Sequence, residues 1–260
     1  MVLIPSQHMA FYDLNKSKRI ELVDKINQRI LSEFKSGKPK FILDIFSDED
    51  TYIRKTGYLA IGKIYLANPS LHPYIFKLLD KLFKHENEKI RQTVINAAGE
   101  IGKKDFHLIE PLMKEGLMDE HHSVRNAVIG SIKKMGEKNP KPVLTFAKQF
   151  LNHPDKEIRR EICHGIELRG RTHPQDILPL LKVLQHDPTA RVRNTLVHVI
   201  GQIAYKKGCL ETVVEELKTW ENKALVQAAL EEIIDVHHRY RNFSVKTQEE
   251  AMEYIEKHYK

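Results

Sequence analysis

The 260-residue chain contains little cysteine and little tryptophan: only Cys163, Cys209 and Trp220. Two cysteines are too few for a disulfide framework, and they lack the paired spacing of a structural zinc site. We therefore expect two reduced, partly buried thiols and a cytoplasmic protein.

Long apolar runs are also missing. No stretch of 18 or more apolar residues occurs, so the sequence predicts no membrane-spanning helix and no membrane partner. Residues 1–20 lack a leading basic region and a long apolar segment, which argues against a secretory signal.

Motifs for catalysis and for nucleotide or metal binding are missing as well. The sequence has no GxxxxGK(S/T), no HExxH and no assignable Ser/His/Asp or Cys/His set. We therefore expect no cofactor and assign no catalytic or metal-binding residue. Several histidines that suggest a metal at first sight are interpreted as turn or surface residues: His121, His122, His164, His237 and His238.

What the sequence does contain is a repeat. An aliphatic residue followed by arginine recurs at Arg54, Arg91, Arg125, Arg159 and Arg193, with spacings of 37, 34, 34 and 34 residues. A fixed period in this range is typical of stacked helical repeats. We predict an all-α, right-handed superhelical solenoid of antiparallel helix pairs with a period of about 34 residues.

Apolar residues recur with helical spacing after each arginine, which predicts a second helix in every repeat. The segments 72–84, 141–151 and 174–185 have the same period and are predicted to be first helices. Glycines recur in the second helices, where they favour close helix–helix approach.

We predict one solenoid domain over residues 1–260. It comprises an N-terminal capping helix at 17–40, about six repeats at 41–236, and a loop with a C-terminal capping helix at 237–260. Gly37 is expected to end the first helix. Thr247 and Glu250 form a capping-box pattern at the start of the last.

Carboxylates stand six residues before three of the repeat arginines. Salt bridges between neighbouring repeats would satisfy both charges, so we interpret these residues as structural. This predicted structural ladder comprises Asp48, Arg54, Arg91, Asp119, Arg125, Arg159, Asp187 and Arg193.

A turn aspartate followed by an aliphatic–arginine pair resembles the HEAT repeat over residues 40–235. Within that superfamily, residues 153–204 are similar to bacterial HEAT-like DNA alkylation-repair glycosylases. That resemblance implies a basic concave surface that grips duplex DNA, with tryptophans and an aspartate at a damaged nucleotide. The sequence departs from it, because residues 118–125 contain no tryptophan and Asp119 already holds the structural position.

The net charge of +7 favours an anionic partner. Basic residues cluster after each repeat arginine, near the predicted ends of the second helices, where the helix dipole also favours positive charge. We expect a monomer that binds duplex DNA through this basic ridge; a protein partner on the concave surface and a glycosylase using Asp119 or Glu120 are the alternatives. The ridge comprises Lys103, Lys104, Lys133, Lys134, Arg169, Arg171, Lys206 and Lys207.

Overall fold

The computed structural model describes residues 10–37 and 39–259. Within these ranges the regular elements are helices and no strand occurs, so the predicted all-α class is confirmed. Residues 1–9, which carry most of the argument against a secretory signal, lie outside the described ranges. The right-handed superhelix and its period stay predictions.

The chain divides into two compact units, with the boundary between Ser131 and Ile132. We describe each unit by itself, and a single domain over 1–260 stays a prediction. The helices that begin in the first unit are α1 (Lys16–Ser36), α2 (Lys40–Ser47), α3 (Thr51–Ala67), α4 (His72–Phe83), α5 (Glu88–Leu117) and α6 (His122–Lys138).

The second unit continues the pattern of helix pairs. Its helices are α7 (Pro140–Phe150), α8 (Lys156–Gly165), α9 (Glu167–Gly170), α10 (Pro174–Lys182), α11 (Ala190–Ala204), α12 (Cys209–Lys218), α13 (Lys223–Arg239) and α14 (Gln248–His258). The second helix of the fourth repeat is divided at Ile166 into α8 and α9.

Each repeat contains a first and a second helix, as the sequence predicts. Helix α5 holds two of them, because Asp105 has non-helical backbone angles (φ −120°, ψ 63°) and separates its two halves. Helices α4, α7 and α10 correspond to the predicted first helices and carry proline in their first turn, where its missing N–H costs no hydrogen bond.

Both ends of the described chain show the helix signals expected from the sequence. Gly37 adopts a left-handed conformation (φ 71°) and donates its N–H to Glu33, which ends α1. Thr247 and Glu250 form the predicted capping box of α14. The loop predicted to begin at His237 begins later, because α13 continues through Arg239 and buries His237.

Glycine allows the second helices to approach closely in three repeats. Gly62, Gly99 and Gly201 each stand eight residues after a repeat arginine. A Cβ atom at Gly99 would lie 2.7 Å from the Cβ of Ser131, closer than packed atoms come. The close contact of α5 with α6 therefore depends on glycine at position 99, which has no side chain.

The rare residues of the sequence belong to the interior. Cys163 and Cys209 are buried, unpaired thiols, and burial raises the pKa of both. Trp220 is 1% exposed. Among the described helices, none is long and apolar enough to cross a membrane.

Candidate functional site

The repeat arginines hold the turns of their own repeats. Arg91 donates from Nη1 to the carbonyl oxygens of His85 at 3.0 Å and Glu86 at 2.8 Å. Arg125 and Arg159 donate to the equivalent carbonyls of their turns. These bonds satisfy backbone acceptors that the turn leaves outside a helix.

Two of these arginines also reach the next repeat. Within the first unit, Arg91 donates to both carboxylate oxygens of Asp119, at 2.7 and 2.9 Å. Within the second unit, Arg159 makes the same paired contact with Asp187, at 2.6 and 3.0 Å. Two parallel bonds between guanidinium and carboxylate give this contact a fixed geometry.

The three turn aspartates differ in pKa because they differ in partners. Burial would raise the pKa of Asp119 and Asp187, but the arginine, by hydrogen bond and charge, and a backbone N–H outweigh it, so both pKa values lie below the ordinary range. Asp48 belongs to the first repeat, and burial raises its pKa. Asp119, with both oxygens bound to Arg91, is poorly placed as a catalytic base.

Four residues of the basic ridge contact carboxylates. Lys103 contacts Glu100, Lys133 and Arg171 contact Glu167, and Arg169 contacts Asp176. Lys206 lies over the ring of Tyr205, 4.6 Å from its centroid. Lys104, Lys134 and Lys207 are exposed. The eight residues therefore differ in how much charge they offer to an anionic partner.

The pairs at Glu167 belong to a group in the second unit that we call the polar cluster: Lys133, His164, Glu167, Arg171 and His198. Lys133 Nζ lies 3.0 Å from His164 Nε2 and 3.2 Å from Glu167 Oε2. His164 Nε2 in turn lies 2.9 Å from Glu167 Oε2. Three polar atoms thus meet in one small triangle.

Glu167 is the buried centre of the polar cluster, with its side chain 3% exposed. Burial alone would raise the pKa of Glu167. The hydrogen bond with His164 and the charges of Lys133 and Arg171 outweigh it, and they lower this pKa to about 2. The carboxylate is therefore ionised at neutral pH.

The polar cluster occupies the place where other repeats have glycine. Lys133 and Glu167 stand eight residues after their repeat arginines, as Gly62, Gly99 and Gly201 do. The third and fourth repeats thus replace a close helix contact with a charged pair.

Two donors beside Glu167 are buried without a hydrogen-bond partner among the described residues: Arg171 Nε and Gln202 Nε2. The remaining polar atoms of these side chains are engaged, since Arg171 donates to Gln202 Oε1 at 2.9 Å. Buried donors of this kind are costly unless an acceptor reaches them.

An open cleft of about 410 Å³ adjoins the polar cluster and is lined by Arg160, His164, Arg191, Asn194, Thr195 and His198. Every lining side chain can donate a hydrogen bond, and none is a carboxylate. Glu157 contacts both arginines from beside the cleft, at 2.9 and 3.2 Å, and balances part of their charge. The cleft is suited to an anionic group.

Sequence reasoning did not bring these residues together. From the sequence, His164 is interpreted as a turn or surface residue together with histidines of other helices, whereas its partner His198 is 34 residues away. The repeat register contained the signal, because both histidines stand five residues after a repeat arginine. The two imidazole rings lie 6.0 Å apart, centroid to centroid.

No protein-family model matches the chain, and no curated protein matches it in sequence. Among solved structures, AlkD2 from Streptococcus mutans is similar at 16% identity, with TM-score 0.54, over 80% of this chain and 97% of that one. The protein smu.31 from Streptococcus mutans UA159 is similar at 17% identity, with TM-score 0.52, over 78% and 97%.

At these identities the likeness concerns the fold. It agrees with the paired helices of the repeats. The chain has the fold of HEAT- and armadillo-type helical-repeat proteins and resembles AlkD2 in that fold.

Proposed function

We propose that the protein is a non-catalytic binding module that contacts the phosphate backbone of duplex nucleic acid through the cleft of its second unit. The observation that supports this function most is the lining of the cleft, in which every side chain can donate a hydrogen bond and none is a carboxylate. Phosphate oxygens accept hydrogen bonds from these residue types without regard to base sequence. The net charge of +7 supports the same partner.

This proposal moves the contact away from the full basic ridge. Four ridge residues contact carboxylates. Arg191 in the cleft contacts Glu157, but its side chain is still 66% exposed. We assign Arg191 and Arg160 the main phosphate contacts, with Asn194 as a neutral donor. The Thr195 hydroxyl already donates to the carbonyl oxygen of Arg191. The exposed ridge lysines Lys104, Lys134 and Lys207 would add electrostatic attraction to the phosphate backbone of the nucleic acid.

Fluorescence anisotropy with a short labelled duplex tests this function. Arg191→Ala is expected to weaken binding about tenfold, the loss of one charge-assisted hydrogen bond. Lys148→Ala removes an equal charge from an exposed position on the first helix α7 and is expected to leave binding unchanged. Equal affinity of all three proteins would overturn the assignment to the cleft.

A protein partner is the second candidate. The second helices carry charges of both signs, as in the contacts of Arg239 with Glu232 and Asp235. A surface of mixed charge is typical of protein interfaces outside their core. Absence of duplex binding even at low salt would favour this candidate. We further propose a cytoplasmic, monomeric protein.

A further inference from the structure

Two imidazoles and a carboxylate converge at the inner end of the cleft. The potential ligand atoms of His164, Glu167 and His198 all lie within 4.8 Å of one another. They come from α8, α9 and α11, so that helix packing, and not one flexible loop, brings them together. Two histidines and one glutamate are a ligand set that Zn²⁺ accepts.

The distances suit a small tetrahedral ion. Bonds of roughly 2.0–2.2 Å place neighbouring ligand atoms about 3.3 Å apart. His164 Nε2 and Glu167 Oε2 already lie 2.9 Å apart. His198 has a side chain that is 43% exposed and contacts Glu232 at 3.5 Å, and its ring would have to turn toward the other two ligands to bind the ion.

Lys133 fills the position that such an ion would take. Its ammonium lies 3.0 Å from His164 Nε2 and 3.2 Å from Glu167 Oε2, the same two atoms. His164 Nε2 cannot both donate to Glu167 and accept from Lys133, so one contact of the triangle is always unfavourable. The Lys133 side chain is 23% exposed and long enough to swing toward water.

We propose that His164, Glu167 and His198 form a binding site for Zn²⁺ or a similar divalent transition metal, in competition with the ammonium group of Lys133. The ion would bind the neutral imidazoles and the glutamate carboxylate, and water would complete the coordination. Glu167 would exchange its bond to Lys133 for one to the metal and retain Arg171. The site shares His164 and His198 with the lining of the cleft, but metal binding does not require nucleic acid and can be measured without it.

Calorimetric titration with Zn²⁺, without nucleic acid, tests the proposal. The unaltered protein is expected to bind one ion, and His198→Ala to weaken that binding about tenfold or more. His186→Ala removes an exposed histidine elsewhere in the second unit and is the matched control, with no expected effect. Lys133→Ala is expected to tighten binding, because the competing ammonium is gone.

Two results would contradict the metal site. No heat of binding in either the unaltered protein or Lys133→Ala would overturn the site, as would equal affinity of His198→Ala and the unaltered protein. Since Lys133→Ala leaves the buried Glu167 with fewer partners, its thermal unfolding is measured alongside. The absorption spectrum of bound Co²⁺ in His198→Ala, an exposed position, gives a second test that does not depend on Lys133.

Discussion

At the scale of single residues, aspartates at the same position of different repeats differ in pKa, because their charged partners differ. Asp187 is buried and bound on both oxygens by Arg159, whereas burial raises the pKa of Asp48. The sequence places an aspartate in three of the five turns, but the partner of each carboxylate depends on how neighbouring repeats pack.

The same substitution should therefore have opposite effects at the two positions. Asp187→Asn leaves Arg159 without its charged partner and is expected to lower the free energy of unfolding by about 3 kcal/mol. Asp48→Asn preserves an oxygen acceptor for the Asp50 N–H and removes a charge that burial disfavours. Urea unfolding at neutral pH should show unchanged or higher stability for Asp48→Asn; equal losses in both variants would contradict the contrast.

The paired aspartates also predict sensitivity to acid. The pKa values of Asp119 and Asp187 are lower in the folded protein than the ordinary value of 3.8. Their contribution to stability is therefore complete above this pH and is lost as the pH falls through the folded-state values. The unfolding free energy should decline less steeply below pH 3.8 in the Asp119→Asn, Asp187→Asn double variant than in the unaltered protein. Parallel curves would contradict this.

At the scale of helices, much of the structure follows from local sequence signals. The arginine period gives the second helices, Gly37 ends α1, and the Thr247 capping box begins α14. The extension of α13 through Arg239 was not predicted, because His237 finds a buried position and a carbonyl partner at Ile233 that a polar sequence does not suggest. At the end of α13, burial against the rest of the protein extends the helix where the polar sequence predicts a loop.

Helix packing leads to a matched test with glycine. Gly99→Ala would force a Cβ against Ser131 and is expected to destabilise the protein. Gly130→Ala adds a Cβ in open space on α6 and should stabilise by about 0.5–1 kcal/mol through helix propensity. Thermal unfolding of the two variants should shift in opposite directions; a stabilised Gly99→Ala protein would disprove the tight contact.

At the scale of the whole molecule, the all-α class and the helix pairs could be predicted from the sequence, but the candidate site could be predicted only in part. Lys133 and Arg171 were identified as surface cations, yet Glu167 binds both. Contacts that join residues 31 to 34 positions apart depend on the register between helices, which the sequence alone did not supply. The cleft emerges only when α8 and α11 lie side by side.

The salt dependence of duplex binding is the most direct test of phosphate recognition by the cleft. Each phosphate contact contributes about 0.9 to the slope of log K against log salt concentration. We expect salt-sensitive binding, a slope reduced by about 0.9 in Arg191→Ala, and an unchanged slope in Lys148→Ala. Binding that is insensitive to salt, or slopes equal in all three proteins, would contradict phosphate recognition by the cleft.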